Sequence, residues 1–455
     1  MSQNINVVIL AAGKGSRMKS ALPKVLHQVA GKSLLQHNLD LASTLHSANI
    51  NVVVGHGADE VKAQVDNENV NFCLQTEQLG TGHAVAQALP HLDTKAIALI
   101  LSGDVPLLKA ETAKELFANT DLNTMSVLTC IMEDPTGLGR MLRDESGELI
   151  AIVEEKDANA EQKLICEINT GIMAIPVAKL AKWLPALSAN NAQGEYYLTD
   201  VIAMAVDDGV NINTAVCDDP VEVTGVNDRK QLAGLERHYQ MQQAEQFMAQ
   251  GVTLLDPARI DFRGDISIAE DVTIDVNVIF EGKVTLGTGV KIGPNCVIKN
   301  CEIKEGTNIE AFSHLEDAVI GKACNVGPFA RIRPGTELEE GAKIGNFVET
   351  KKAKIGKGSK INHLSYVGDS ELGDNVNVGA GTITCNYDGV NKFKTIIGDN
   401  VFVGSNTALV APVTVESGAT IGAGSTITKD IDKDQLALSR SKQRNLDGWL
   451  RPKKP

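Results

Sequence analysis

A glycine-rich stretch near the N-terminus of this 455-residue chain carries residue types that bind phosphate groups. Residues 10–24 read LAAGKGSRMKSALPK, so an apolar run opens into a glycine-rich turn that is followed by Arg17 and Lys24. The backbone N–H groups of such a turn, with a helix start behind them, form a cradle for anions. The two cations would offset the negative charge of the bound group, and we predict a phosphate-binding loop here.

A carboxylate suited to a metal ion follows a later apolar run. Residues 96–101 are aliphatic and lead into SGDVP, which places Asp104 directly after a predicted strand. Ligands of open α/β sheets bind at the carboxyl ends of the strands. Mg²⁺ is a hard ion that prefers oxygen ligands and retains several waters. We therefore predict that Asp104 is a magnesium ligand.

The second half of the chain holds another group of polar residues that could take part in catalysis or ligand binding. Its members are Arg333, Lys351, the segment NHLSY at 362–366, Asn377, the segment CNYDG at 385–389, Ser405 and Arg440. His363 is the best candidate for a general base, because imidazole titrates near neutral pH. An isolated histidine is more often structural, but the polar residues around this one favour a catalytic role.

The elements that would position the first group alternate between strands and helices. Apolar runs at residues 6–10, 51–54 and 96–101 are each followed by turn residues and helical patterns, which predicts a mostly parallel sheet covered by helices on both faces. Residues 227–250 have the spacing of one long helix that ends before Gly251. We predict a first domain over residues 1–228, a linker helix over 229–250 and a second domain over 251–455.

The second domain is a repeat in which an aliphatic residue recurs every six positions. A period of six fits a parallel β-helix with three hexads, or about 18 residues, in each coil. Gly or Asn is expected at the corners, where φ is positive. Residues 385–394 break the period and are predicted to leave the coil as a loop. The repeat runs through Ile268, Ile274, Phe280, Leu286, Ile292 and Ile298, then Ile303, Ile309 and Leu315, then Ile320, Val326, Ile332, Leu338 and Ile344, and then Ile397, Val403, Leu409, Val415, Ile421 and Ile427.

Composition excludes several classes of partner. A formal net charge of −14, without an extended basic face, argues against nucleic-acid binding. The N-terminus lacks the features of a secretory signal, and the chain has no apolar run of about 18 residues that would predict a membrane span. The eight cysteines form no C-x-x-C pair. Reduced thiols and a cytoplasmic location are therefore expected.

The motifs of both halves match known enzymes. The N-terminal motifs are similar to those of sugar-1-phosphate nucleotidyltransferases, and GNFVETKK, NHLSYVGDS and GAGTITCNYDG match an acetyltransferase half. Over essentially its whole length the chain resembles the bacterial bifunctional N-acetylglucosamine-1-phosphate uridyltransferase and glucosamine-1-phosphate acetyltransferase family. The resemblance implies an α/β Rossmann-like nucleotidyltransferase domain followed by a left-handed parallel β-helix of hexapeptide repeats.

The resemblance also implies two reactions. Glucosamine 1-phosphate would be acetylated by acetyl-CoA, and UMP would then pass from UTP to N-acetylglucosamine 1-phosphate with release of pyrophosphate. Mg²⁺ would be the metal cofactor, and a homotrimer is implied because such acetyltransferases place the site between neighbouring subunits. The products of this family serve peptidoglycan and lipopolysaccharide synthesis.

Each position that matches a family motif receives a role by resemblance. Lys24 and Arg17 would assist uridyl transfer, Asp104 and Asn227 would bind the metal, and Gln75 would pair with the uracil edge. The family usually has Tyr where this chain has Ser102, so packing around the sugar phosphate is expected to be looser. The residues implied to contact UTP or the UDP-sugar are Leu10, Ala11, Ala12, Gly13, Lys24, Gln75, Gly80, Thr81, Ser102, Gly103, Asp104, Gly139, Glu154, Asn169 and Asn227.

Roles in the second domain follow in the same way. His363 would be the general base that deprotonates the sugar amine. The residues implied to bind glucosamine 1-phosphate are Arg333, Lys351, Tyr366 and Asn377. The residues implied to bind acetyl-CoA are Ala380, Asn386, Tyr387, Ser405, Ala423 and Arg440.

Two alternatives stay open at this point. The chain could be a nucleotidyltransferase whose β-helix only oligomerises, as in the enzymes that make ADP-glucose. The β-helix could instead be a pure scaffold or binding module. Neither alternative explains why His363 lies among cationic and polar residues.

Overall fold

The computed structural model describes residues 4–47, 49–65 and 69–454 and divides into two compact units, Met1–Tyr239 and Gln240–Pro455. Within those described ranges, none of the helices combines the length and the apolar character needed to cross a bilayer.

The first unit is a layered α/β structure. Its strands are β1 (Ile5–Ala11), β2 (Gln28–Val29), β3 (Lys32–Ser33), β4 (Asn49–Val54), β5 (Val70–Leu74), β6 (Ile97–Ser102), β7 (Thr124–Ile131), β8 (Arg140–Arg143), β9 (Leu149–Val153), β10 (Glu167–Pro176) and β11 (Asn211–Cys217). Its helices are α1 (Leu34–Thr44), α2 (Ala58–Gln64), α3 (Thr81–Ala88), α4 (Ala110–Ala118), α5 (Val177–Trp183) and α6 (Val201–Asp207), and α7 (Arg229–Ala249) begins at its C-terminal end.

The main sheet of this unit has the strand order β11-β7-β10-β6-β1-β4-β5. Strands β6, β1, β4 and β5 are parallel, whereas β10 runs antiparallel to β6 and β7. Val7 and Ile9 of β1 pack into one core cluster and Val8 into another, so both faces of the sheet are covered. This explains why the strands are continuous apolar runs instead of alternating patterns. The predicted mostly parallel sheet with two covered faces is present.

Helix α7 contributes to each unit. Leu232, Leu235 and Tyr239 pack in a small cluster of the first unit. In the second unit, Ala244 belongs to the core, and the ring of Phe247 lies 4.9 Å from that of Phe262 between centroids. The division between the units falls within this helix, between Tyr239 and Gln240.

The second unit is a parallel β-helix. Strands β12, β14, β16, β18, β20, β23, β25, β27, β30, β33 and β35 form what we call the first β-helix sheet, and the other strands form the second β-helix sheet. The bounds are β12 (Thr253–Leu254), β13 (Ile260–Ile268), β14 (Thr273–Ile274), β15 (Val278–Leu286), β16 (Lys291–Ile292), β17 (Val297–Ile303), β18 (Asn308–Ile309), β19 (His314–Ile320), β20 (Asn325–Val326), β21 (Arg331–Ile332), β22 (Thr336–Leu338), β23 (Lys343–Asn346), β24 (Glu349–Ile355), β25 (Lys360–His363), β26 (Tyr366–Leu372), β27 (Asn377–Val378), β28 (Ile383–Cys385), β29 (Thr395–Ile397), β30 (Phe402–Val403), β31 (Ala408–Val410), β32 (Val413–Val415), β33 (Thr420–Ile421), β34 (Thr426–Ile427) and β35 (Leu436–Ala437).

The six-residue period forms the interior of this unit. All of the aliphatic positions of the repeat are buried in one continuous core cluster. Coils pair in parallel register. The offset is 18 residues between Ile260 and Val278, and it is 17 residues between Lys299 and Glu316, where the repeat is one residue shorter because only five positions separate Ile298 from Ile303. The loop predicted at 385–394 is present as residues 386–394, between β28 and β29, whereas Cys385 is the last residue of β28.

One set of corners departs from the expected Gly or Asn. Phe312, Phe329 and Phe347 have φ of 60°, 56° and 56°, and Leu364 has φ of 45°. The three rings stack on one another with centroid separations of 4.9 and 5.4 Å, and all four side chains are exposed. A bulky residue with positive φ is strained, so a composition rule for corners misses these positions.

Candidate functional site

A cavity of about 420 Å³ opens at the carboxyl ends of the parallel strands in the first unit. The predicted residues that line it are Leu10, Ala11, Ala12, Gly13, Lys24, Gln75, Gly80, Thr81, Ser102 and Asp104. These residues lie at the ends of β1 and β6 or in the segments that follow β1, β5 and β6, whose carboxyl ends meet at one edge of the sheet because the strands are parallel. The cavity therefore joins the glycine-rich loop, the Gln75 segment and the Asp104 segment.

The glycine-rich loop is held against Lys24. Gly15 has φ of +58°, and a Cβ added to it would lie 2.6 Å from Cβ of Lys24, so this position requires glycine. Gly103, which the sequence also predicts, donates its N–H to the carbonyl of Leu10 at 2.9 Å. The strand end after β6 is thereby tied to the strand end of β1.

Four charged or polar side chains meet beside the cavity. The ammonium of Lys24 contacts Oδ2 of Asp104 and donates to Oδ1 of Asn227 at 3.2 Å. Arg17 donates to the same Asn227 oxygen at 2.8 Å. Lys24 and Asn227 are 203 positions apart in the sequence. Both predicted catalytic cations and both predicted metal ligands of this unit thus form one cluster.

The chemistry of this cluster fits Mg²⁺. The carboxylate of Asp104 and the amide oxygen of Asn227 already converge on one cation, the ammonium of Lys24. Among the residues that the structure describes, no group of three or more His, Cys, Asp or Glu could hold a metal. Mg²⁺ does not need such a cage, since one or two protein oxygens with waters and substrate phosphates are its usual ligands.

Gln75 is fixed by the segment that follows it. Its side chain is buried, and Nε2 donates to the carbonyl of Gly80 at 3.2 Å and contacts Nδ1 of His83 at 3.0 Å. Gly80 has φ of +117°, and an added Cβ would lie 2.5 Å from the carbonyl oxygen of Tyr196. Only glycine fits there. His83, which the sequence analysis did not single out, belongs to this arrangement.

The predicted sugar contacts form a second patch. Glu154 lies against Gly139, whose hypothetical Cβ would be 3.5 Å from both carboxylate oxygens. The backbone N–H of Asn169 donates to the Gly139 carbonyl at 2.9 Å, and Oδ1 of Asn169 accepts from Gly171. A Cβ on Gly171 would lie 3.3 Å from Oγ of Ser102. The patch therefore reaches the cavity at Ser102.

The carboxyl group of Glu154 has a pKa above its ordinary value. Burial raises its pKa, and the nearby carboxylates of Asp157, Asp200 and Glu195 raise it further. A hydrogen bond of 3.1 Å from the Thr199 hydroxyl partly opposes the increase in pKa. The oxygens of this carboxyl group can form hydrogen bonds with hydroxyl groups of a ligand.

Sequence reasoning missed several residues that line the cavity. They are Lys14, Val25, Gln78, Ala84 and Glu195. Lys14 stands between two glycines of the loop, which was an available signal. Glu195 lies in residues 190–200, a segment that also matches the family motifs near the sugar side, although Glu195 itself received no role.

In the second unit, the predicted base and several predicted acetyl-CoA contacts lie in one column. His363 is the register partner of Asn346, whose Oδ1 is 2.9 Å from Nδ1 of His363. Lys360 pairs with Asn377, Asn377 with Phe402 and Phe402 with Thr420. This parallel register continues past the ends of the strands, where Asn406 donates its N–H to the carbonyl of Ala380 and Gly424 donates to that of Ser405. It aligns the small side chains of Ala380, Ser405 and Ala423 with His363.

The predicted phosphate-binding residues lie on the second β-helix sheet instead. Arg333 donates to Oε1 of Glu349 at 2.6 Å, and its backbone N–H donates to the carbonyl of Thr350. Glu349 pairs in register with Tyr366, and Lys351 pairs with Gly368. Arg333 directly follows β21, and Lys351 and Tyr366 lie in the neighbouring strands β24 and β26, whereas His363 and Asn377 lie in strands of the first β-helix sheet.

Three cations crowd together on this second face. The nearby ammonium of Lys392 lowers the pKa of Lys351 most strongly, and burial and the charge of Arg333 lower this pKa further. Asp369 opposes the shift. Like charges in such proximity are stabilised by an anion. Lys392 lies in the loop at 386–394 and was not predicted.

The remaining predicted residues lie near the loop and the C-terminal segment. Asn386 is buried and donates to Oδ2 of Asp369. Tyr387 is exposed at the start of the loop. Arg440 donates to the carbonyl of Ala423 at 2.6 Å, at the end of the column that contains His363.

Comparisons with known proteins cover both units. The family model of the MobA-like NTP transferase domain matches residues 7–191, that of the GMPPB C-terminal domain matches 262–338, and that of the bacterial transferase hexapeptide (six repeats) matches 394–429. The bifunctional protein GlmU of Marinobacter nauticus is 61% identical over 99% of both chains. The chain belongs to the GlmU family. GlmU proteins of Cellvibrio japonicus, at 59% identity, and Pseudomonas putida, at 56%, also align over 98–99% of each chain.

Membership in the GlmU family confirms the predicted family and fold. The chain is an α/β Rossmann-like nucleotidyltransferase domain followed by a left-handed parallel β-helix of hexapeptide repeats. It is a transferase in both halves.

Proposed function

We propose that this chain makes UDP-N-acetylglucosamine in two steps. Its second unit acetylates glucosamine 1-phosphate with acetyl-CoA, and its first unit transfers UMP from UTP to N-acetylglucosamine 1-phosphate with release of pyrophosphate. The observation that carries the proposal is that GlmU-family relatives align with 99% of the chain while each unit holds its own polar site. This pairing favours two catalytic units over a nucleotidyltransferase with an inert β-helix and over a scaffold.

In the first unit, the sugar phosphate oxygen would attack the α-phosphorus of UTP in line. Arg17 and Lys24 would hold the nucleotide phosphates and offset the charge that develops on pyrophosphate, since this type of transfer depends on positioning and charge neutralisation. Asp104 and Asn227 would hold Mg²⁺, which when bound would neutralise further phosphate charge. Gln75 would contact the uracil, and Glu154 and Asn169 the sugar.

In the second unit, the three crowded cations support a phosphate subsite. Arg333, Lys351 and Lys392 would bind the phosphate of glucosamine 1-phosphate, and the mutual repulsion that lowers the pKa of Lys351 would be relieved by that anion. His363 would accept the proton of the attacking amine. The pantetheine arm of acetyl-CoA would lie along the column of Ala380, Ser405 and Ala423, with Arg440 at its phosphate end and Asn386 and Tyr387 beside it.

We also propose that the chain acts as a homotrimer. The base His363 is on the first β-helix sheet, and the cations Arg333 and Lys351 are on the second. A complete site would therefore combine the first sheet of one copy with the second sheet of a neighbouring copy. The stacked and exposed Phe312, Phe329 and Phe347 run along the corner between these faces. Burial of such an apolar stripe against other copies would offset its strained backbone.

A cytoplasmic location completes the proposal. All eight cysteines lie within the described residues and are free thiols. Free thiols in this number are typical of a reducing compartment.

Product analysis with single omissions tests the two activities. The full chain is incubated with glucosamine 1-phosphate, acetyl-CoA, UTP and Mg²⁺, and UDP-N-acetylglucosamine is measured. Omission of acetyl-CoA should abolish the product unless N-acetylglucosamine 1-phosphate is supplied instead. Formation of a UDP-sugar only from unacetylated substrate would contradict the proposal.

A further inference from the structure

His83 and the carbonyl of Gly80 together determine which atom of Gln75 faces the cavity. A backbone carbonyl only accepts hydrogen bonds, so the amide group of Gln75 that lies 3.2 Å from Gly80 O must be its NH₂. The same nitrogen lies 3.0 Å from Nδ1 of His83. Because both hydrogens of Nε2 then have acceptors, Nδ1 of His83 is the unprotonated ring nitrogen.

This arrangement leaves Oε1 as the part of the Gln75 amide that can face a ligand. Gln75 lines the cavity and its side chain is only 3% exposed, so the orientation of the amide is decided by these two protein partners more than by water. Oε1 can only accept a hydrogen bond. The cavity therefore presents a fixed acceptor at this point of its wall.

A fixed acceptor distinguishes between pyrimidine bases. Uracil carries a hydrogen on N3 and can donate it to Oε1 of Gln75. Cytosine has an unprotonated N3, which would oppose its lone pair to that of Oε1. A buried polar site built for one hydrogen-bonding pattern rejects the reversed pattern because its groups are left unpaired.

We propose that His83 is a positioning residue that sets the base specificity of uridyl transfer by holding the Gln75 amide in its uracil-accepting orientation. The inference rests on the proposed function of the first unit. Without the Nδ1 acceptor, one hydrogen of Nε2 would lose its partner in a buried place. With one of its two hydrogen bonds lost, the amide could leave the Gly80 carbonyl and turn, so that Nε2 would donate to the unprotonated N3 of cytosine in the cavity.

Substitutions of His83 that either keep or remove its hydrogen-bond acceptor test this role. His83→Asn keeps an acceptor close to the place of Nδ1, whereas His83→Leu and His83→Ala remove it. The values of kcat/KM for UTP and for CTP are measured on the full chain with N-acetylglucosamine 1-phosphate. Acetyl transfer by the same preparation reports that the protein is folded, and His91→Leu is the matched control on the surface.

The expected result is a shift in nucleotide preference. The ratio of kcat/KM for UTP to that for CTP should fall about 10-fold or more in His83→Leu and His83→Ala. His83→Asn and His91→Leu should stay within about 3-fold of the parent ratio, and the KM for the sugar phosphate should change little in every variant. A UTP preference that is unchanged in folded His83→Leu and His83→Ala would overturn the inference.

Failure of the proposed function would be recognised separately. In that case the parent chain would transfer nothing from UTP to N-acetylglucosamine 1-phosphate, whatever the state of His83. Calorimetric titration of the parent and the variants with UTP and with CTP would then decide the inference, because base selection acts on binding. Equal UTP-to-CTP affinity ratios in the parent and in His83→Ala would refute it.

Discussion

The substitution Asp104→Asn tests the charge arrangement of the uridyl-transfer site. Among Arg17, Lys24, Asp104 and Asn227, Asp104 is the single anion, and its side chain is 21% exposed beside Lys24 at 15%. The substitution keeps the size of the side chain and removes its charge. The cluster is then left with two cations and two amides, which is a poor site for a divalent metal.

Two magnitudes follow from this geometry. Breaking a fully buried ion pair costs about 3–5 kcal/mol, but partial exposure and the remaining amide oxygen reduce the expected loss in free energy of unfolding to about 1–2 kcal/mol. The effect on the reaction should be larger, because a lost electrostatic contact to a transferring phosphoryl group raises the barrier by about 3–4 kcal/mol. Uridyl transfer should therefore fall by about 10²–10³-fold.

The assay follows pyrophosphate release over a range of Mg²⁺ concentrations and acetyl-CoA consumption in the same preparation. Acetyl transfer should remain within a few-fold of the parent, because its residues belong to the other unit. Asp134→Asn, at an exposed turn of the same unit, is the control for loss of one carboxylate. A parallel fall in both activities, or uridyl transfer within about 3-fold of the parent, would refute the assigned role of Asp104.

Three further predictions concern the independence of the units, the base His363 and the assembly of the acetyl-transfer site. Fragments 1–239 and 1–228 should both retain uridyl transfer, but the shorter one lacks the buried Leu235 and should lose about 2 kcal/mol or more in free energy of unfolding, measured by urea denaturation. Inactivity of a folded 1–239 fragment would contradict the independence of the first unit. His363→Ala should lower acetyl transfer about 10²-fold while leaving uridyl transfer within a few-fold. Mixing His363→Ala chains with Arg333→Ala chains should restore part of the acetyl transfer, because the two residues are proposed to serve one site from different copies. Failure to do so would indicate that one copy supplies both residues.

The architecture could be predicted from the sequence because it depends on local periodicity. Most side chains that point into a thin β-helix are apolar, so a period of six predicts the interior positions from Ile268 to Ile344 and from Ile397 to Ile427. In the same way, the carboxyl ends of neighbouring parallel strands meet at one edge. This predicts that the loop after β1 and Asp104 after β6 line one cavity.

The partners of individual side chains were decided only by the tertiary structure. Asn227 contacts Lys24 although the two are 203 positions apart in the sequence. Lys392 lies close to Lys351 because its loop folds back. Neither contact can be predicted from the spacing of residues in the sequence. His83 had no signal in the sequence, since its role depends on which hydrogen bonds Gln75 makes. Periodicity determines which face of an element is buried, whereas the contacts between polar groups depend on distances that exist only once the elements have packed.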